Sequence, residues 1–583
     1  MCGFVGAIDA DLVLAKTLGD LTHRGPDAQD EYHQNGLYLR HYRLAIIGAE
    51  ATAHQPMTSR DGRVRLAYNG EIYNYKELAQ WMGRPELAAD GDTRVLVEFL
   101  ASHGIEHLDQ LNGMFAFAAY FEDTRELYLV RDRFGIKPLY FLPTRQGFFF
   151  ASEIKSLRAV KPVTLEHERV LRYLSAGVYP VGSDTLFRDI VQVDAGTWVK
   201  YSRHGHETRR WYDIGARVLA LRDADHNIDE YEALLEDSTR LRLRSDVPIS
   251  LHYSAGTDST ALMLKVKEAW GWDFPLVTFT MAFDDSEVDE SDLAAEYCRQ
   301  IGVENHKVYL TADEVPALAQ QLHEYVDEPY GGIPTIAYYR MNQVERERGY
   351  IVSIEGQGGD EAFGGYLYHV YLAIYDLHLS GQDPELLTLM LQTHGIELET
   401  AIKAADALIS SGFHAHTDMT DMRAVEAEPP QKFIDWLRTI QLYDVSLNKI
   451  PRTLRFNDRA SMACGREVRF PLLDHRALEY AIAFDHRRKY RGGHNKAPLR
   501  EVIRRHLPGV YNVPKRSVVT PQTRWFRNEL KPWVNERIDM LREAGTIPQR
   551  YFAAVDSFYR DPEPTNSFPV WQLVNLSYFI DTF

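Results

Sequence analysis

PISLHYSAGTDSTALMLKVKEAW, residues 248–270, decides the architecture of the larger part of this chain. PISLHY reads as a strand, the small-residue loop SAGTDST interrupts it, and a helical pattern is predicted from Thr260. A strand, a short loop and a helix N-terminus together aim backbone N–H groups at an anion. No GxxxxGK[ST] is present, so this is not a Walker A loop. Taken alone, SAGTDST is equally an ordinary helix-entry turn.

Beyond this stretch, long helical patterns alternate with short strands, as in DEYEALLEDSTRLRLRS (229–245), PLVTFTMAF (275–283) and YIVSIEG (350–356). That is the βαβ texture of a parallel sheet. Before it, residues 1 to about 200 read as short β-runs: RHYRLAIIG (40–48), VRLAYNGEIYNY (64–75) with Asn69-Gly70 at a turn, ELYLVRDRFGIKPLYF (126–141) and GFFFASEI (147–154). Helical TRVLVEFLASHG (93–104) sits between them. The expected fold is an α+β αββα sandwich of two antiparallel sheets, followed by an α/β parallel-sheet domain rich in helices. The domains are expected at 1–205 and 206–583, with the boundary near 205–228. THGIELETAIKAADALISSGFHAHTD (393–418) reads as a variable helical insertion.

The 583 residues call for at least two domains, and 45% hydrophobic with 25% charged residues is the balance of a globular protein. A net charge of −18 argues against polyanionic partners, so no nucleic acid is expected. No apolar run approaches the roughly 18 residues of a membrane helix, and the start MCGFVGAIDAD lacks the basic region of a signal peptide. A cytoplasmic protein with no membrane contact is expected, either monomeric or a homodimer.

The 3 cysteines, Cys2, Cys298 and Cys464, show neither CxxC nor Cys/His ligand spacing. Cys298 and Cys464 read as small buried hydrophobes. Cys2 follows Met1, whose removal is expected because the next residue is small. A free α-amine would then stand beside its own thiol as a base, the logic of N-terminal nucleophile catalysis. On position alone, Cys2 is equally a cysteine of no consequence.

Cys2 opens an ordered series. CGFVG (2–6) is followed by HRGPD (23–27), HYRLAI (41–46), HQPM (54–57), YNGEIYN (68–74), GDTRVL (91–96), LNGMFAFA (111–118), RDRFGIKPLYF (131–141) and ASEIKSL (151–157). Further on come SAGTDST, EGQGGDEAFGGY (355–366), NDRASMACGREVRFPLLDH (457–475) and KAPLR (496–500). In this series the chain resembles the class II glutamine amidotransferases and, among them, the asparagine synthetase family, over nearly its whole length.

The resemblance implies a role for each matched residue. Cys2 would attack the side-chain amide of glutamine, with the Asn69 side chain and the Gly70 N–H stabilising the oxyanion. Arg43, Glu71 and Asp92, with Asn69 and Gly70, would bind zwitterionic glutamine, the cation on its carboxylate and the anions on its ammonium group. Arg131, Asp132 and Arg133 are assigned to scaffolding, and Arg469 and Asp474 to structure.

SAGTDST resembles the SGGxDS loop of enzymes that cleave ATP between its α and β phosphates. Ser254, Gly256, Asp258 and Ser259 match the positions for pyrophosphate, while Ala255 replaces a glycine. EGQGGDEAFGGY resembles the family's SGDGADELFGGY loop, and Asp360 would hold Mg2+ together with Asp258. Met281 and Gly356 fall where the family lines adenine and ribose, and Glu355 is counted in the same ATP site. Lys515, in PKRSVVTP, falls where a lysine steadies the adenylation transition state. Gln357 departs from an acidic position and cannot act as a base or an anionic metal ligand.

These assignments describe an enzyme that adenylates a carboxylate with ATP and Mg2+, hydrolyses glutamine at Cys2 and passes the ammonia between its domains. Aspartate is the expected acceptor. A tailoring amidotransferase acting on a sugar acid, peptide or antibiotic precursor is the alternative, motivated by Ala255, Thr257, Gln357 and the divergent segment 366–440. A non-catalytic glutamine- or nucleotide-binding protein is the alternative of another class.

Overall fold

A computed structural model describes residues 2–48, 53–413, 432–511 and 520–582. The first domain holds twelve strands in chain order: β1 (Cys2–Ile8), β2 (Ala28–Gln34), β3 (Leu37–Arg43), β4 (Met57–Thr58), β5 (Val64–Ile72), β6 (Gly113–Phe121), β7 (Glu126–Arg131), β8 (Tyr140–Thr144), β9 (Gly147–Ala151), β10 (Val191–Gln192), β11 (Thr197–Ser202) and β12 (Gly205–Arg210). They form two antiparallel sheets, β10-β8-β9-β1-β3-β2 and β12-β11-β7-β6-β5-β4.

Strand parity builds the sandwich, because alternate side chains point to opposite faces. Phe4 and Ile8 of β1 meet Ala67 of β5, Ala116 and Ala118 of β6 and Leu129 of β7 in one core between the sheets. Leu66 and Tyr68, of opposite parity on β5, pack outward with Val95, Leu96 and Phe99 of helix α1 (Asp92–His103). Helices therefore lie outside two facing sheets, the expected αββα layering.

One local expectation fails. Asn69-Gly70 is not a turn: β5 pairs with β6 without interruption, from Val64 opposite Phe121 to Ile72 opposite Gly113. Gly70 opposes Phe115 with φ +154°, and a Cβ there would lie 2.1 Å from the Met114 carbonyl oxygen. Glycine permits a close strand approach here, not a reversal.

The second domain carries a five-stranded sheet in the order β15-β14-β13-β16-β17, all parallel, from β13 (Ile249–His252), β14 (Val277–Ala282), β15 (Glu304–Tyr309), β16 (Val352–Ile354) and β17 (Glu467–Arg469). Helix α2 (Thr257–Trp270) makes the crossover from β13 to β14, starting at Thr257 with Gly256 as its N-cap, three residues before the predicted start. Strand order reverses beside β13, with β14 on one side and β16 on the other, so the loops after β13 and β16 flank a crevice at the carboxyl ends of the strands. Helix Leu398–Ser410 makes up part of the predicted helical insertion, and residues 414–431 lie outside the described residues. Among the described residues no helix is long and apolar enough to cross a membrane.

RDRFGIKP is a buried scaffold. The Asp132 carboxylate accepts four backbone N–H bonds, from Phe115 (3.2 Å), Phe134 (3.1 Å), Ile136 (3.0 Å) and Lys137 (3.0 Å). Arg131 donates to the carbonyls of Gly135, Lys137 and Val193 at 2.7, 2.8 and 2.8 Å. An asparagine keeps only one acceptor oxygen, so Asp132→Asn turns two buried donors toward an NH2 group. We expect a loss of about 2–4 kcal/mol, seen as a lower thermal unfolding midpoint; an unchanged midpoint would refute the scaffold role.

Candidate active sites

Two groups of predicted residues converge, one in each domain. In the first, Cys2 lies opposite Arg43 in the β1–β3 register and is 7% exposed. Its backbone N–H donates to Asn69 Oδ1 at 3.2 Å, and its carbonyl accepts from Arg24 Nε at 3.1 Å. Asn69 shares the parity of Ala67, so it points between the sheets toward Cys2. It is fully buried, and its Nδ2 donor has no hydrogen-bond partner among the described residues. Burial pushes the Cys2 thiol up, opposed by the Leu44 N–H and by Arg43. Burial also raises Cys298 to about 11 and Cys464 to about 12; Cys298 is the expected buried thiol, whereas Cys464 is only partly buried.

Glu71 and Asp92 complete this group. Asp92, at the start of α1, accepts from Tyr68 Oη at 2.9 Å and from the Ile72 N–H at 3.1 Å. Glu71 Oε1 lies 3.7 Å from Arg469 Nη2 of the second domain, and Glu71 Oε2 is buried without a hydrogen-bond partner among the described residues. Burial, with Asp92 and Glu467 nearby, pushes the Glu71 carboxyl well above the usual carboxylate range, and burial raises Asp92 too. Arg43 reaches past them, donating through Nη2 to the Gly48 carbonyl.

The second group surrounds a cavity of about 380 Å3 at the switch point of the parallel sheet. Ser254, Gly256, Asp258, Ser259, Met281, Glu355, Gly356 and Asp360 all line it, as do the departures Ala255 and Gln357. Ser254 and Ser259 bond across the loop, Oγ to Oγ at 3.3 Å. Ala255 adopts φ +56°, a conformation glycine takes freely and alanine reaches only with strain. A Cβ on Gly359 would lie 2.5 Å from Asp258 Oδ1, so that glycine lets the two loops close on each other. Lys515 lies outside the described residues.

Lys496, to which sequence reading gave no role, is the cation at the centre of this group. Its Nζ lies 2.6 Å from Asp258 Oδ2 and 2.7 Å from Asp360 Oδ1. KAPLR was the available signal, but nothing local ties a lysine at 496 to carboxylates at 258 and 360. Glu355, at a serine position of the family loop, is also missed as part of a network. Its Oε1 meets His252 Nδ1 at 2.5 Å and its Oε2 accepts from Asn457 Nδ2 at 2.8 Å. Burial opposes the charge on His252, yet Glu345 and Glu355 on its two ring nitrogens raise it to about 9.

A glutamine amidotransferase domain model matches residues 1–212, and an asparagine synthase model matches residues 230–581. The chain belongs to the asparagine synthase family. It is a glutamine-hydrolysing amidotransferase of that family, whose synthase domain implies ATP use. It is 26% identical over 614 residues to asparagine synthetase (glutamine-hydrolyzing) 1 of Bacillus subtilis strain 168, covering 98% of this chain and 95% of that one. A putative asparagine synthetase of Mycobacterium tuberculosis is 32% identical over 379 residues, 61% of this chain and 57% of its own. Amidase chry2 of Gibberella zeae is 25% identical over 595 residues, covering 90% and 87%.

His41 gives the first site a pH signature. It is buried, its Nε2 lies 3.0 Å from the Tyr68 carbonyl, and burial lowers it to about 3. The unfolded chain therefore binds a proton below about 6.5 that the folded chain refuses down to about 3. Stability should fall as pH drops through that window, by up to roughly 1.4 kcal/mol per unit from this residue. Urea unfolding of the parent and His41→Gln at several pH values checks this; parallel slopes would contradict it.

Proposed function

We propose that this amidotransferase hydrolyses glutamine at Cys2 and transfers the ammonia to a carboxylate activated by ATP as an acyl-adenylate, with aspartate the first-choice acceptor. The observation that carries the glutamine half is the Cys2–Asn69 pair: Asn69 Oδ1 holds the Cys2 nitrogen while its buried Nδ2 is left for another acceptor. Once Met1 is removed, the Cys2 α-amine takes the thiol proton and the thiolate attacks the glutamine amide. Negative charge develops on the carbonyl oxygen, where Asn69 Nδ2 and the Gly70 N–H supply donors. The Cys2 α-ammonium returns that proton to the amide nitrogen, ammonia leaves, and water releases glutamate from the thioester.

Glu71 and Asp92 explain the choice of substrate. Two buried carboxylates, both raised by burial and Glu71 further by Asp92, are offset by a bound ammonium group, which the α-amine of glutamine provides. Arg43 then takes its α-carboxylate.

The donor set of the second site suits Mg2+. Asp258 and Asp360 are hard oxygen ligands already converging on one cation, the Lys496 ammonium. Bound there, the ion would neutralise charge on the departing pyrophosphate. Ser254, Gly256 and Ser259 would cradle that pyrophosphate at the N-terminus of α2. Met281, Glu355 and Gly356 would line the nucleoside, and Lys515 is kept as the lysine that steadies adenylation.

A second reading changes only the acceptor. Gln357 lines the cavity where the family carries an acid, and an amidase is among the relatives, so a tailoring amidotransferase for another carboxylate is the rival. Pyrophosphate release with ATP, Mg2+, glutamine and aspartate decides between them; silence with aspartate beside working glutamate release selects the rival.

Two variants separate the half-reactions. Cys2→Ala should abolish glutamine-driven pyrophosphate release and keep the ammonia-driven reaction within about twofold. Asp258→Asn should cut pyrophosphate release by about 100-fold or more and spare glutamate release. Loss of both activities in either variant would contradict two separate sites.

A further inference from the structure

Helix α3 (Lys449–Met462) touches both sites with consecutive residues. Asn457 Nδ2 donates to Glu355 Oε2, on the wall of the nucleotide cavity, at 2.8 Å. Asp458 accepts a bidentate pair from Arg24, at 2.9 and 3.1 Å. Arg24 in turn donates its Nε to the Cys2 carbonyl at 3.1 Å, and the Cys2 N–H is held by Asn69. Arg24 is 0% exposed and Asp458 6%, so water cannot substitute for either partner. Five side chains and one helix thus connect the nucleotide wall to the peptide groups that hold the Cys2 thiol.

We propose that Asp458, a residue of the synthase domain, positions Cys2 through Arg24, and that Asn457 beside it makes this positioning respond to nucleotide in the cavity. The proposal rests on the reading of Cys2 as the glutamine nucleophile. A guanidinium fork fixes direction as well as distance. A small displacement of α3, driven by whatever occupies the Glu355 wall, therefore reaches the Cys2 carbonyl as a rotation of the fork. Asp458 is a positioning residue and touches no reacting atom. Glu153, 2.8 Å from Arg24 Nη1, keeps that guanidinium paired when Asp458 loses its charge, so Asp458→Asn is expected to fold.

On the full chain, kcat and KM for glutamate release are measured with and without ATP and Mg2+, with ammonia-driven pyrophosphate release in parallel. Nucleotide should change the wild-type kcat at least threefold or so, and should change the rate at which iodoacetamide alkylates Cys2, read by peptide mass spectrometry. Asp458→Asn should lower kcat about tenfold with KM for glutamine within about twofold, lose the nucleotide response and keep the ammonia reaction. Asn457→Ala should keep the basal kcat and lose only the response. If Asp458→Asn does not fold, the wild-type alkylation comparison decides, and an unchanged rate with ATP bound overturns the proposal. No glutamate release from the wild-type chain would overturn both readings, whereas release with an unaltered Asp458→Asn kcat overturns this one alone.

Discussion

Arg24, Glu153, Asp327, Asp458 and Arg459 are all buried where the two domains meet, and the relation between the domains depends on their being paired at once. Arg24 binds Glu153 and Asp458, while Arg459 lies 3.3 Å from Glu153 and 3.0 Å from Asp327. Asp327 also accepts from the backbone N–H groups of Ile154 and Lys155, at 3.0 and 2.8 Å. Burial alone would push Glu153 up; Lys155, His23 and Arg459 override it and hold that carboxyl well below its ordinary value. Burying charge is costly, and a buried charge left without any partner costs about 3–5 kcal/mol. The seam therefore tolerates one registration of the domains and penalises its neighbours.

That registration suits the chemistry. Ammonia released into neutral water is largely protonated and loses its nucleophilicity, so the donor and acceptor sites of an amidotransferase gain from a fixed, desolvated relation. In a further tie, Asp474 accepts from Asn112 Nδ2 of the first domain and pairs with Arg242 of the second. Arg469, close to Glu71, donates to the carbonyls of Arg242 and Arg244. These residues, read as structural, act as joints between domains.

The two sites are made in different ways. At Cys2, strand register and parity set the geometry: β1 places Cys2 opposite Arg43, and β5 sends Asn69 and Glu71 to one face. At the cavity of the parallel sheet, two loops leave adjacent parallel strands and close on each other through Gly359 and Asp258. Departures from family pattern fall in the second site, where one gains partners and another carries strain. Glu355 finds His252 and Asn457, and Ala255 accepts a left-handed backbone.

The sequence by itself determined the two fold classes, the order of the motifs and, among the described residues, which predicted side chains gather in each group, apart from the unassigned Lys496. Alternating and helical periodicities are local properties, and motif residues carry their chemistry with them. Asn69-Gly70 shows the limit of local reading, since the dipeptide of a turn serves a strand once β6 lies close beside it. Tertiary structure alone decided which charges meet: Lys496 with Asp258 and Asp360, Glu71 with Arg469, and Arg24 with Asp458, 434 residues away. Periodicity says which face of an element is buried. Only the packed chain says which charge waits there, because an ion pair in a dry interior is chosen by position in space and not by separation along the chain.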